Sequence, residues 1–106
     1  MSTPILPKEH SGKIEQLRAY FQARKPSLVV RAGWHPDTRT ATFPFDDGPC
    51  LRYLLRVSKV VLQDYEAEEI VRMLESAKWE DVLENTPPDQ MAVFTSTGFL
   101  LELRLS

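Results

Sequence analysis

The chain has a single cysteine, Cys50. One thiol cannot close an internal disulfide or anchor a cysteine zinc site. Such usage fits a reducing compartment, so a cytoplasmic location is the expectation. Long apolar runs are missing too. No stretch approaches the ~20 apolar residues of a membrane span. The opening MSTPILPKEH holds no apolar run of signal-peptide length. Glycine is scarce, and Gly12, Gly33, Gly48 and Gly98 stand apart, so none forms a phosphate-cradling loop. With no nucleotide, metal or nucleophile signature, an enzyme is the less expected class. No catalytic residue is assigned, and no cofactor is expected.

What is present is ordinary globular chemistry. The 106 residues are 42% apolar and 26% charged, too apolar and too balanced for disorder. That length suits one core and leaves little room for a second. Residues 1–10, with Pro4 and Pro7 and no periodic pattern, read as a loosely ordered arm. Residues 11–106 read as one domain. The net charge of -2 hides a split. Residues 1–63 carry ten Lys/Arg and five Asp/Glu, whereas residues 64–106 carry three and ten. Either the halves neutralise each other across the fold or one half meets a charged partner.

Periodicity predicts the elements. Ser11 is placed to cap a helix, and Ile14, Leu17, Tyr20 and Phe21 form its apolar stripe. Lys13, Gln16, Gln22 and Arg24 are left for water, and Pro26 ends the helix. Leu28 to Trp34 alternates as a strand, with Leu28, Val30, Ala32 and Trp34 on one face. Thr38 to Phe45 reads as a second strand that Pro44 makes an edge or terminates. Asp46-Asp47-Gly48-Pro49 is turn chemistry. Residues 50–63 fit two patterns. As a strand they put Leu51, Tyr53 and Leu55 inward and Arg52 and Arg56 outward together. As a helix they leave a narrow polar stripe. The β-branched Val57, Val60 and Val61 favour the strand. Asp64 then caps a helix with Ala67, Ile70, Val71, Leu74 and Ala77 on its apolar face. Lys78 to Asn85 forms a second helical piece, and Pro87 and Pro88 stop it. Met91–Thr95 and Phe99–Leu105 are the last strands. The order α-β-β-β-α-α-β-β implies an α+β fold, a mostly antiparallel sheet with helices on one face.

Four groups of residues invite a chemical reading. His35, Asp37, Asp46 and Asp47 flank two turns and could hold a metal only if both turns met at one end, which consecutive meander turns do not do. No metal is therefore expected. Cys50 could act as a nucleophile with His35 as base, but needs an orienting third group that no spacing supplies. Arg31, Arg39, Arg52 and Arg56 could give the sheet a phosphate-gripping or partner-contacting face, without the aromatic platform of single-strand binders. Glu66, Glu69, Glu80, Asp81 and Glu84 could form an acidic docking surface, or a solvated helix face.

By elimination, the expected class is a non-enzymatic protein-interaction or regulatory module with a protein partner. A nucleic-acid-associated protein using the arginines, and a small enzyme around His35, are the alternatives. A membrane is not an expected partner. A homodimer is a further expectation: the last strand could extend a neighbour's sheet if it lay at an edge. Phe99, Leu101 and Trp79 are its candidate apolar contacts.

Overall fold

A computed structural model describes residues 8–104. Most of the expected arm, residues 1–7, lies outside the described residues, as does Leu105 at the end of the last expected strand. Helix α1 (Ser11–Arg24) buries Ile14, Leu17 and Phe21, the predicted stripe. Its N-cap is His10, not Ser11, whose hydroxyl donates to the Lys8 carbonyl at 3.2 Å. The chain then forms β1 (Val29–Val30), β2 (Gly33–His35), β3 (Thr40–Asp47) and β4 (Cys50–Ser58). Three helices follow, α2 (Lys59–Asp64), α3 (Ala67–Ser76) and α4 (Trp79–Asn85), before β5 (Gln90–Thr95) and β6 (Gly98–Leu103). No helix among the described residues is long and apolar enough to cross a membrane.

Segments β1 and β2 are one strand in all but a single bond. Val30 pairs with Phe45 and Gly33 with Thr42 in an unbroken antiparallel register. Between them the Arg31 N–H donates to the Pro44 carbonyl at 3.0 Å. Proline has no N–H to return, so the ladder lapses there and resumes. Pro44 therefore sits inside the sheet, not at its edge or end, with its missing donor in the gap between β1 and β2. Leu28, Val30, Ala32 and Trp34 face the core as their alternation predicts.

The β3–β4 hairpin closes through Gly48 and Pro49, with Asp47 opposite Cys50. Gly48 has φ of 61°, the left-handed geometry that a two-residue hairpin of this kind requires at its first position. A bulge follows. Phe45 pairs with Tyr53 but Asp46 with Leu51, so Arg52 is left over. One extra residue moves side chains to the other face. Leu55 and Val57 are buried and Tyr53 packs on the core, but Leu51 is exposed beside Asp46 instead of facing inward.

Residues 50–63 thus divide the two patterns they fit. The strand ends at Ser58, whose hydroxyl accepts from the Val61 N–H and starts α2. Asp64 closes that helix and is not the cap of the next. Glu66 caps α3 in a reciprocal capping box with Glu69. The three helices carry the chain back, so β5 runs parallel to β4, with Arg56 beside Val93. Such a crossover needs a long connection. The sheet is otherwise antiparallel, in the order β1-β3-β4-β5-β6 with β2 on β3.

One core joins the layers. Phe21 of α1 touches Phe43 at 5.1 Å and Trp79 at 4.9 Å between ring centroids, both near edge-on. The Trp79 indole donates to the Tyr20 hydroxyl, which donates to Glu75. Arg24 pairs with Glu80 at 2.5 Å, and Lys25 lies 3.4 Å from Glu84. Part of the charge split between the two halves is therefore neutralised inside the molecule.

Candidate functional site

All four helices contribute to the core that covers one face of the sheet. The other face carries, side by side across β3 to β6, Thr42, Arg56, Val93 and Leu100. Arg56 is half-buried there, and its Nε has no hydrogen-bond partner among the described residues. Burial pulls this guanidinium below its ordinary pKa, and the charge of Glu102 opposes that only in part.

The four arginines of the sequence reading do not gather into one patch. Arg31 is on the open face, held by Asp46 at 2.6 Å. Arg39 ends the turn between β2 and β3 in left-handed geometry, with φ of 52°. Arg52, at the bulge toward the far end of the same strands, lies 5.8 Å from the Tyr53 ring on the helix side. It therefore does not emerge with Arg56. His35 and Asp37 likewise sit at one end of β3, and Asp46, Asp47 and Cys50 at the other. Among the described residues no three His, Cys, Asp or Glu side chains are grouped to hold a metal ion.

The acidic residues are also dispersed. Glu66 and Glu69 are occupied in capping α3. Glu80 and Glu84 face Arg24, the last residue of α1, and Lys25 just after it. Asp81 borders a depression with Arg24, Glu75 and Lys78.

The least finished part of the surface is the β6 margin. Among the described residues strand β6 pairs only with β5, so it is an edge of the described sheet. The Arg104 N–H donates to the Asp89 carbonyl at 2.8 Å, one step beyond the Gln90–Leu103 pair. Bonded and non-bonded pairs alternate in an antiparallel ladder. Gly98, Leu100 and Glu102 therefore bond inward to β5, and the N–H and C=O of Phe99, Leu101 and Leu103 point outward. The same strand exposes large apolar side chains: Leu100 at 51%, Leu101 at 50% and Leu103 at 61%. Leu101 and Leu103 lie on the helix side, in register with Ala92 and Gln90, beyond the cover the helices give β5. Proteins usually blunt such margins with lysine, proline or a bulge, and Gly98–Leu103 has none of these.

Trp79, an expected apolar contact for a partner, is only 1% exposed and belongs to the core. Compared with protein-family models, with curated proteins and with solved structures, the chain matches none.

Proposed function

We propose that the protein is a non-enzymatic interaction module that binds its partner by strand addition along β6. The observation that carries this reading is the coincidence on one short strand of outward-facing backbone groups and exposed leucines. Main-chain hydrogen bonds supply affinity in such pairing, and alternate side chains supply selectivity. The arrangement elsewhere favours the same class. Arginines and carboxylates are spread over both ends of the sheet or tied to each other, whereas a catalytic site needs a nucleophile, base and orienting group within reach.

The test is a selection of displayed extended peptides on the full chain, counter-selected with Leu101→Pro. Proline at 101 removes an outward N–H and leaves the bonds to β5 intact. Ligands should bind the wild type, lose the variant, and slow hydrogen exchange at the amides of Phe99, Leu101 and Leu103. Ligands that bind both proteins equally, or protect a different surface, would overturn the reading.

A further inference from the structure

We propose that the partner received by the β6 edge is a second copy of this chain, with the two β6 strands antiparallel about a two-fold axis at Leu101. The proposal rests on the strand-addition reading and names its occupant.

Geometry restricts how two such edges can meet. Both free margins must face each other, so the axis must be normal to the sheet, with the helices of both copies on one side. Only registers that put a residue opposite one of like parity satisfy this. Centred on Leu101, the pairing sets Leu101 on its own mate and Phe99 on Leu103 of the other copy, twice by symmetry. Every outward N–H and C=O from Phe99 to Leu103 then finds a partner. On the helix side the contacts are entirely apolar and engage Leu101 and Leu103, which the helices leave exposed. On the open side Leu100 lies against the stem of Glu102 from the other copy. A shift one way brings Glu102 onto its own mate, and like charges directly opposite are destabilising. A shift the other way leaves Leu103 opposite residue 97, in the hairpin turn. The strand is thus self-complementary in one register.

A second copy also brings a strand already formed. An unstructured peptide would have to be ordered on binding, which reduces affinity. The assembly closes at two. Two β6 margins satisfy each other about the axis, and on the opposite margin β1 is blocked: the Val30 N–H donates to Gln22 at 2.9 Å, and Gln22 donates to the Leu28 carbonyl at 2.6 Å. A closed two-fold dimer is the common outcome of such an isologous contact.

Sedimentation of the full chain over a wide concentration range tests this. The mass should rise from 12.2 kDa toward twice that value. Leu101→Pro should weaken association by about a hundredfold or more, because symmetry removes two interface bonds and leaves two carbonyls unpaired. Leu101→Lys, which spares the backbone and sets two cations on the axis, should do the same if the proline variant misfolds. With Cys50→Ser in place, Leu101→Cys should cross-link across the axis under mild oxidation. Its Cα atoms would lie about 5.5 Å apart, within disulfide range. Leu100→Cys, roughly 8 Å from its mate, should not. A wild type that stays monomeric overturns the second-copy proposal. Strand addition itself still stands in that case if selected peptides protect the β6 amides, and falls if they do not. A dimer indifferent to both Leu101 variants, or cross-linked through Leu100→Cys instead, places the contact elsewhere and equally overturns the proposal.

Discussion

The two margins of this sheet are finished in opposite ways. On the β1 side the backbone is met by side chains from α1. Gln22 accepts from Val30 and donates to Leu28, while Arg18 reaches the Val30 carbonyl at 3.4 Å. An amide side chain carries both a donor and an acceptor, so a single residue can stand in for a neighbouring strand. On the β6 side Phe99 still packs against the core, but Leu101 and Leu103 stay half exposed or more, and no side chain among the described residues hydrogen-bonds the outward backbone of Phe99, Leu101 or Leu103. The difference teaches that an edge is protected by what packs over it, not by its own residues. Val29 at the closed margin is as exposed as the leucines of β6, at 59%.

The largest effect should come from loosening the helix that closes β1. Leu17 is fully buried on α1, so Leu17→Ala should cost about 2–5 kcal/mol in chemical denaturation. A proline pair separates the two sides of β6. Leu100→Pro removes an inward donor and should destabilise by about 2–4 kcal/mol. Leu101→Pro removes an outward one and, compared at a concentration too low for two copies to associate, should stay within about 1 kcal/mol of wild type. Equal losses would mean that the outward assignment of Phe99, Leu101 and Leu103 is wrong.

Gln22→Ala should open the closed margin. The Val30 N–H, on a residue 3% exposed, would lose its acceptor at a cost of about 1–3 kcal/mol. With two free edges per copy, light scattering should then detect species larger than the dimer. If the variant stops at the wild-type mass, Gln22 is not what guards the edge.

The smallest effect concerns the ion pair beside that clamp. The hydrogen bond from Arg18 holds the Glu15 carboxyl below its ordinary pKa. A lowered folded value means that the contribution is present at neutral pH and lost as pH falls through that folded value. Glu15 is largely exposed, so the effect should be a few tenths of a kcal/mol. The stability gap between wild type and Glu15→Gln should therefore shrink on acidification. A gap that is flat with pH would detach Arg18 from Glu15.

Much of the fold was legible in the residues because it depends on neighbours in sequence. The stripe Ile14, Leu17, Phe21 and the alternation of Leu28, Val30, Ala32 and Trp34 follow from local periodicity. The ambiguity of residues 50–63 had a local cause too, since β4 hands over to α2 at Ser58 without a glycine or proline to mark it. Other features had no local signal. Gln22 and Lys13 read as solvent-facing positions. Yet Gln22 clamps β1, and the Lys13 ammonium donates to the carbonyls of Leu62 and Tyr65 at 2.6 and 2.9 Å. A polar residue one turn from the stripe looks the same whether water or a distant carbonyl answers it. The bulge that turned Leu51 outward is likewise invisible to a strict two-residue period.

By itself, the sequence determined the first helix and its apolar stripe, most of the strands, the helical run before Pro87, and that the last strand alternates Phe99, Leu101 and Leu103 against Leu100 and Glu102. These follow from backbone geometry repeating every two or 3.6 residues. Only the tertiary structure decided that β5 runs parallel to β4, that β4 gives way to a helix at Ser58, that α1 caps β1, and that β6 is left as an edge of the described sheet. Strand order is set by which apolar faces bury one another across long stretches of chain, and a strand's own residues carry no mark of whether a neighbour will arrive at its outer side.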